Sequence, residues 1–147
     1  MVEMVQGGYE EQEETLFQKV QKMSTSEKIR FAQRGDKEVR NLLIRDGERT
    51  VQMAVVNNPR ITDAEIVIIA NSRNIHEEIL RKIGTSRDCL KLYPVRAALV
   101  QNPKTPLPVS LKLLPTLMLK DLRTIAKSKA VPNAIAQAAL RLVAKKE

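Results

Sequence analysis

Two ten-residue stretches of this 147-residue chain repeat each other, and no other feature restricts the fold as much. Val51-Gln-Met-Ala-Val-Val-Asn-Asn-Pro-Arg60 matches Val95-Arg-Ala-Ala-Leu-Val-Gln-Asn-Pro-Lys104 at an offset of 44 residues. A second match follows each: Ile69-Ala-Asn-Ser-Arg-Asn-Ile-His-Glu-Glu-Ile79 aligns with Ile125-Ala-Lys-Ser-Lys-Ala-Val-Pro-Asn-Ala-Ile135, now at an offset of 56. The difference of 12 residues places an insertion in the second copy, around Leu114-Pro-Thr-Leu-Met-Leu-Lys-Asp121. Self-similarity on this scale marks supersecondary units that cannot bury their apolar faces alone and share a core by stacking.

The units read as helical. Thr62-Asp-Ala-Glu65 has the pattern of a capping box, in which the threonine hydroxyl and the glutamate carboxylate each serve the other's backbone amide. Thr105-Pro106 offers a cap followed by a proline at the first helical position, where no N–H is needed. Among hairpin dipeptides of the Asn-Gly or Asp-Gly kind, Asp46-Gly47 is the only instance. With two Tyr, two Phe and no Trp, the core must be aliphatic, as in packed helices. Gly35, Gly47, Asn58-Pro59, Pro94, Asn102-Pro103 and Val131-Pro132 break the chain, because a residue preceding proline is pushed out of the α region. Helices are expected over 10–22, 26–34, 36–45, 48–57, 62–71, 76–84, 87–92, 95–101, 106–114, 117–127 and 132–146. Ala54, Val55, Ile69, Ala98, Leu99 and Ile125 are expected in the core.

At Val95-Arg-Ala-Ala-Leu-Val-Gln-Asn-Pro-Lys-Thr-Pro106 the sequence resembles the leucine-rich repeat variant family, whose units read approximately Val-Arg-x-x-Val-Ala-x-Asn-Pro-x-Thr-Pro-x-x-x-Leu-x-x-Leu-Ala. Residues 51–70 form a weaker copy, with Gln52 in place of Arg and Ile61-Thr62 in place of Thr-Pro. The resemblance extends over about residues 36–146. It implies an all-α, right-handed α-solenoid of short stacked helices, of the leucine-rich-repeat-variant or HEAT-like kind. The founding member of that family carries a cysteine-rich iron–sulfur segment, whereas this chain has only Cys89 and cannot hold such a cluster by itself.

Charge is unevenly spread within a net +8. Residues 1–18 hold Glu3, Glu10, Glu11, Glu13 and Glu14 and no base, while residues 80–147 hold 14 Lys or Arg against Asp88, Asp121 and Glu147. Residues 1–24 are read as an acidic arm and an amphipathic capping helix, with Leu16, Val20 and Met23 at helical spacing; residues 25–147 are read as the repeat domain. Arg60 and Lys104 occupy equivalent places after the Asn-Pro corners, and Arg73 and Lys129 are equivalent after Ser72 and Ser128. Stacked equivalents form a row, so these four are candidates for a basic binding stripe that Arg81, Arg96, Arg123 and Lys127 widen.

Other chemistry is thin. His76 is the only histidine and aligns with Pro132, just inside a helix start, which points to an exposed first-turn residue. Arg87 and Lys91 flank Cys89, but residues two apart on a helix face different ways, so a small packed hydrophobe is expected there. No Gly-rich phosphate loop or nucleophile elbow occurs. No catalytic residue, cofactor site or metal site is therefore expected. No apolar run reaches the roughly 18 residues of a membrane helix, and no segment resembles a signal peptide. A lone cysteine suits a reducing cytoplasm. The leading expectation is a non-enzymatic scaffold that binds another protein. The alternative is sequence-independent binding of duplex nucleic acid through the stripe. Scarce aromatics disfavour single strands.

Overall fold

The computed structural model describes residues 13–147, which are all-helical: eleven α-helices and one 3-10 turn, with no strand among the described residues. In order they are α1 (Leu16–Gln21), α2 (Thr25–Arg34), α3 (Lys37–Leu43), α4 (Arg49–Val56), α5 (Asp63–Asn71), α6 (Glu77–Gly84), α7 (Arg87–Leu90) and α8 (Tyr93–Gln101). Then come α9 (Leu107–Leu113), the 3-10 turn (Leu114–Thr116), α10 (Leu119–Ala126) and α11 (Asn133–Lys146). None of these helices is long and apolar enough to cross a membrane.

Side chains cap five of the eleven α-helices. Ser24 and Thr62 head α2 and α5 with complete capping boxes, answered by Glu27 and Glu65. Asp36 and Ser86 accept from the third amides of α3 and α7. Two expectations are corrected by the same chemistry. The sequence places the start of the first helix at residue 10, but Thr15 forms a capping box with Gln18 and starts α1 at Leu16; residues 10–12 lie outside the described ones. Thr105 does not cap α9. Pro106, extended at ψ 136°, is the N-cap, and the Thr105 hydroxyl is buried without a hydrogen-bond partner.

A buried, unpaired hydroxyl carries a desolvation cost. The first copy of the repeat has Ile61 at the equivalent position. Thr105→Val should therefore leave stability unchanged or raise it by about 1 kcal/mol, read by urea unfolding. A comparable loss would show that the hydroxyl is engaged after all.

The helices pack in successive pairs: α2 against α4, α5 against α8, and α10 against α11. The expected core residues are all buried, Leu99 and Ile125 completely. Buried side chains fall into two groups. One joins Val20 of α1 to Ala32, Val39, Leu43, Val51, Ala54 and Val55; the larger runs from Ile66 to Val143. Ile44 and Ile61 pack against both groups.

A buried ion pair also crosses this seam. Arg40 of α3 donates from Nε to Glu65 Oε1 at 2.8 Å and from Nη2 to Glu65 Oε2 at 3.0 Å, and both side chains are 5% exposed. Its Nη1 donates to the Gly35 carbonyl at 2.9 Å. Gly35 itself is required by close approach: a Cβ there would lie 2.3 Å from Val39 Cγ1 and 2.9 Å from the Phe31 carbonyl oxygen.

Candidate interaction surface

The two Asn-Pro corners are built alike, and each holds the end of an earlier helix. Asn58 is buried, and its Nδ2 donates to the carbonyls of Ala32 (2.9 Å) and Gly35 (3.0 Å) at the C-terminal end of α2. Asn102 is likewise buried, and its Nδ2 donates to the carbonyls of Ala70 and Ser72, both at 2.8 Å, at the end of α5. In both corners the amide oxygen accepts from the backbone N–H two residues on, Arg60 (2.8 Å) or Lys104 (2.9 Å). The final turns of a helix leave carbonyls without partners, and these asparagines supply the missing donors.

This clamp ties the backbone of each basic corner to the end of an earlier helix. Arg60 sits at the corner that grips Gly35, next to Arg34; Lys104 sits at the corner that grips Ser72, next to Arg73. All four are exposed. Arg34 is not among the expected stripe residues, because the corner that grips the adjoining Gly35 lies 23 positions on, at Asn58. Arg34 falls in the last turn of α2 and Arg73 just past the cap of α5, where cations also complement the negative end of the helix dipole.

The remaining stripe candidates divide. Lys127 and Lys129 are exposed at the end of α10, where the Ser128 hydroxyl accepts from the Ala130 amide as the Ser72 hydroxyl accepts from the Asn74 amide. Arg81 pairs with Glu77 at 3.6 Å and Arg123 with Glu147 at 2.8 Å, both at exposed positions. Arg96 is drawn inward. Its guanidinium donates to the Leu90 carbonyl (2.7 Å) and Thr116 Oγ1 (3.1 Å) and lies 5.3 Å from the centre of the Tyr93 ring. The repeat itself carries the clue, since the equivalent Gln52 is buried and donates to the carbonyl six residues back, Asp46, as Arg96 does to Leu90.

His76 is the N-cap of α6, matching Pro132 at the start of α11, one step earlier than expected. It is exposed; Nε2 lies 2.7 Å from the Gly47 carbonyl oxygen, and its backbone N–H donates to Gln52 Oε1 at 3.0 Å. Cys89 is half-buried and packs against the larger core group. Among the described residues no three His, Cys, Asp or Glu side chains converge as a metal site would require.

An apolar feature accompanies the basic one. Ile68 of α5 is 68% exposed and overhangs a groove of about 400 Å³. Ile44, Ile69 and Ile75 line the groove, with Arg45 and Asn74 among its polar residues.

No family model, no curated protein and no solved structure matches the chain.

Proposed function

We propose that this chain is a non-enzymatic scaffold: a right-handed α-solenoid of the leucine-rich-repeat-variant or HEAT-like kind that binds another protein along its stacked helices in the cytoplasm. The observation that carries the reading is the Ile68 groove, where an exposed isoleucine stands over apolar walls at the seam between the two buried groups. An exposed isoleucine beside apolar walls supplies an anchor and a recess, the two parts that a buried contact at the centre of a protein interface uses. The matched Asn58 and Asn102 clamps support serial stacking of like units. Val20 of α1, buried against the first unit, supports a capping role for that helix and a repeat domain beginning near residue 25.

A second reading has its own observation. The clamps tie the Arg60 corner to Gly35, the residue after Arg34, and the Lys104 corner to Ser72, the residue before Arg73; all four bases are exposed and available to a phosphate backbone. In this reading the partner is duplex nucleic acid, taken without regard to sequence.

Paired titrations separate the two. Random duplex DNA is titrated from about 50 to 200 mM salt, against the parent and against the variant neutralised at Arg60, Arg73, Lys104 and Lys129, since counterion release makes phosphate binding fall steeply over that range. A protein partner, recovered by cross-linking and then purified, is titrated over the same range against the parent and Ile68→Glu. The scaffold reading expects negligible DNA binding at the upper salt limit and partner binding that persists there, weakened about tenfold or more by Ile68→Glu. Tight duplex binding at the upper limit, abolished by the four-site variant, would overturn it in favour of the second reading.

A further inference from the structure

We infer that the acidic stretch ending at Phe17 docks on the basic groove of α11 in a second copy of this chain, so that copies associate head to tail. The groove lies between α9 with its following 3-10 turn and α11, and has a volume of about 250 Å³. Leu111, Pro115, Ala138 and Leu142 form its apolar lining, and Leu111 is 41% exposed. Arg141 and Lys145 stand along it, one helical turn apart and therefore on one face. Both are exposed, and the ion pairs among the described residues include neither. Glu147, the acidic side chain that follows this helix, is engaged by Arg123. An apolar slot edged by two cations that pair with no carboxylate among the described residues calls for an occupant with an apolar anchor and adjacent carboxylates.

This chain carries such a segment. From Met1 to Phe17 there are five glutamates and no base. Phe17 on α1 is 55% exposed, the largest exposed apolar side chain of the described residues, and Glu13 is exposed just ahead of it. Glu14 is engaged by Lys22; Glu13, with Glu10 and Glu11 ahead of it in the sequence, supplies the carboxylates that the partner copy's cations would meet. Other acidic amphipathic segments would satisfy the same groove, but this one is present at one per groove. The net charge of +8 opposes association at long range, yet that repulsion is screened beyond about 10 Å at 0.1 M salt, where direct pairs still act. Donor and acceptor surfaces differ, so the contact is heterologous and propagates. Small contact area sets it at the weak end of specific interfaces.

Sedimentation of the 147-residue chain at about 100 mM salt, over roughly 10–500 µM, tests this, since that range spans weak interfaces. The weight-average mass should rise with concentration. The rise should vanish in R141E/K145E and separately in E10K/E11K/E13K, and mixing the two charge-reversed variants should restore it. Phe17→Ser should shift the association constant more than tenfold without charge change. Helical circular dichroism confirms that each variant is folded, and Phe17→Ser serves if a charge variant is not. A mass that stays monomeric throughout, or association indifferent to R141E/K145E and Phe17→Ser, would overturn the inference; so would a mixture of reversed variants that stays monomeric.

Discussion

Glu65→Leu, with Arg40 left in place, should destabilise the protein by about 3–5 kcal/mol, the range for stranding one member of a buried ion pair. The cost arises from what remains. Arg40 would keep its contact with the Gly35 carbonyl but lose two charge-assisted hydrogen bonds at 2.8 and 3.0 Å, in a site where its side chain is only 5% exposed. Glu65 also completes the cap of α5 through the amide and hydroxyl of Thr62, so helix initiation suffers as well. The double variant Arg40→Met/Glu65→Leu should recover much of the loss, because a hydrophobic pair of similar volume leaves no charge unpaired. A double variant as unstable as the single one would place the cost in the α5 cap instead.

Acid should act through the same pair. The Arg40 guanidinium, reinforced by the Thr62 amide and hydroxyl and opposed by burial, holds the Glu65 carboxyl down at about 2 from its ordinary 4.5. A carboxylate with a depressed folded-state value binds its proton more readily when the chain unfolds. Its contribution is thus fully present above about pH 4.5 and fades as pH falls towards 2. Urea midpoints measured across that interval should fall less steeply in the Arg40→Met/Glu65→Leu variant than in the parent.

Leu99→Ala is expected to cost about 2–5 kcal/mol by the same unfolding measurement, the range for emptying a filled aliphatic site. Leu99 is fully buried on α8, which packs against α5 and belongs to the larger core group. The equivalent Val55 of α4 is 1% exposed, so one sequence position fills the interior in both copies. Leu140→Ala is the control: at 59% exposure it should change stability by less than about 0.5 kcal/mol. A loss that small at Leu99 would contradict its burial.

Helix existence and most helix ends are legible in the sequence because their causes are local. Ser24 with Glu27, Thr62 with Glu65, and the prolines at 59, 94, 103 and 132 act within a turn of themselves. Thr105 misleads for a reason equally local: the Pro106 that follows takes the cap position itself, and the hydroxyl is left in the interior. Partners distant in sequence are a different matter. Asn58 and Asn102 announce corners, but nothing near them says that their amide nitrogens reach back to α2 and α5. Arg40 and Glu65 stand 25 residues apart with no shared motif. The candidate surface divides in the same way. Repeat equivalence picks out Arg60 and Lys104, whereas Arg34 joins them only through the fold, and Arg96 turns to its own unit's carbonyl.

The clamp asparagines have a consequence for how the chain assembles. Each closes a loop of only 23–32 residues. Closure entropy grows slowly with length, so links of this span close at nearly equal cost. On the proposed solenoid reading, a chain held by such links grows by extension from whichever corner forms first, without waiting for one long-range collapse. Injury should then be confined. With the Asn102 link cut, α2 and α4 still have Asn58 between them, and the lesion spreads outward from α5 and α8 while the earlier corner stays closed.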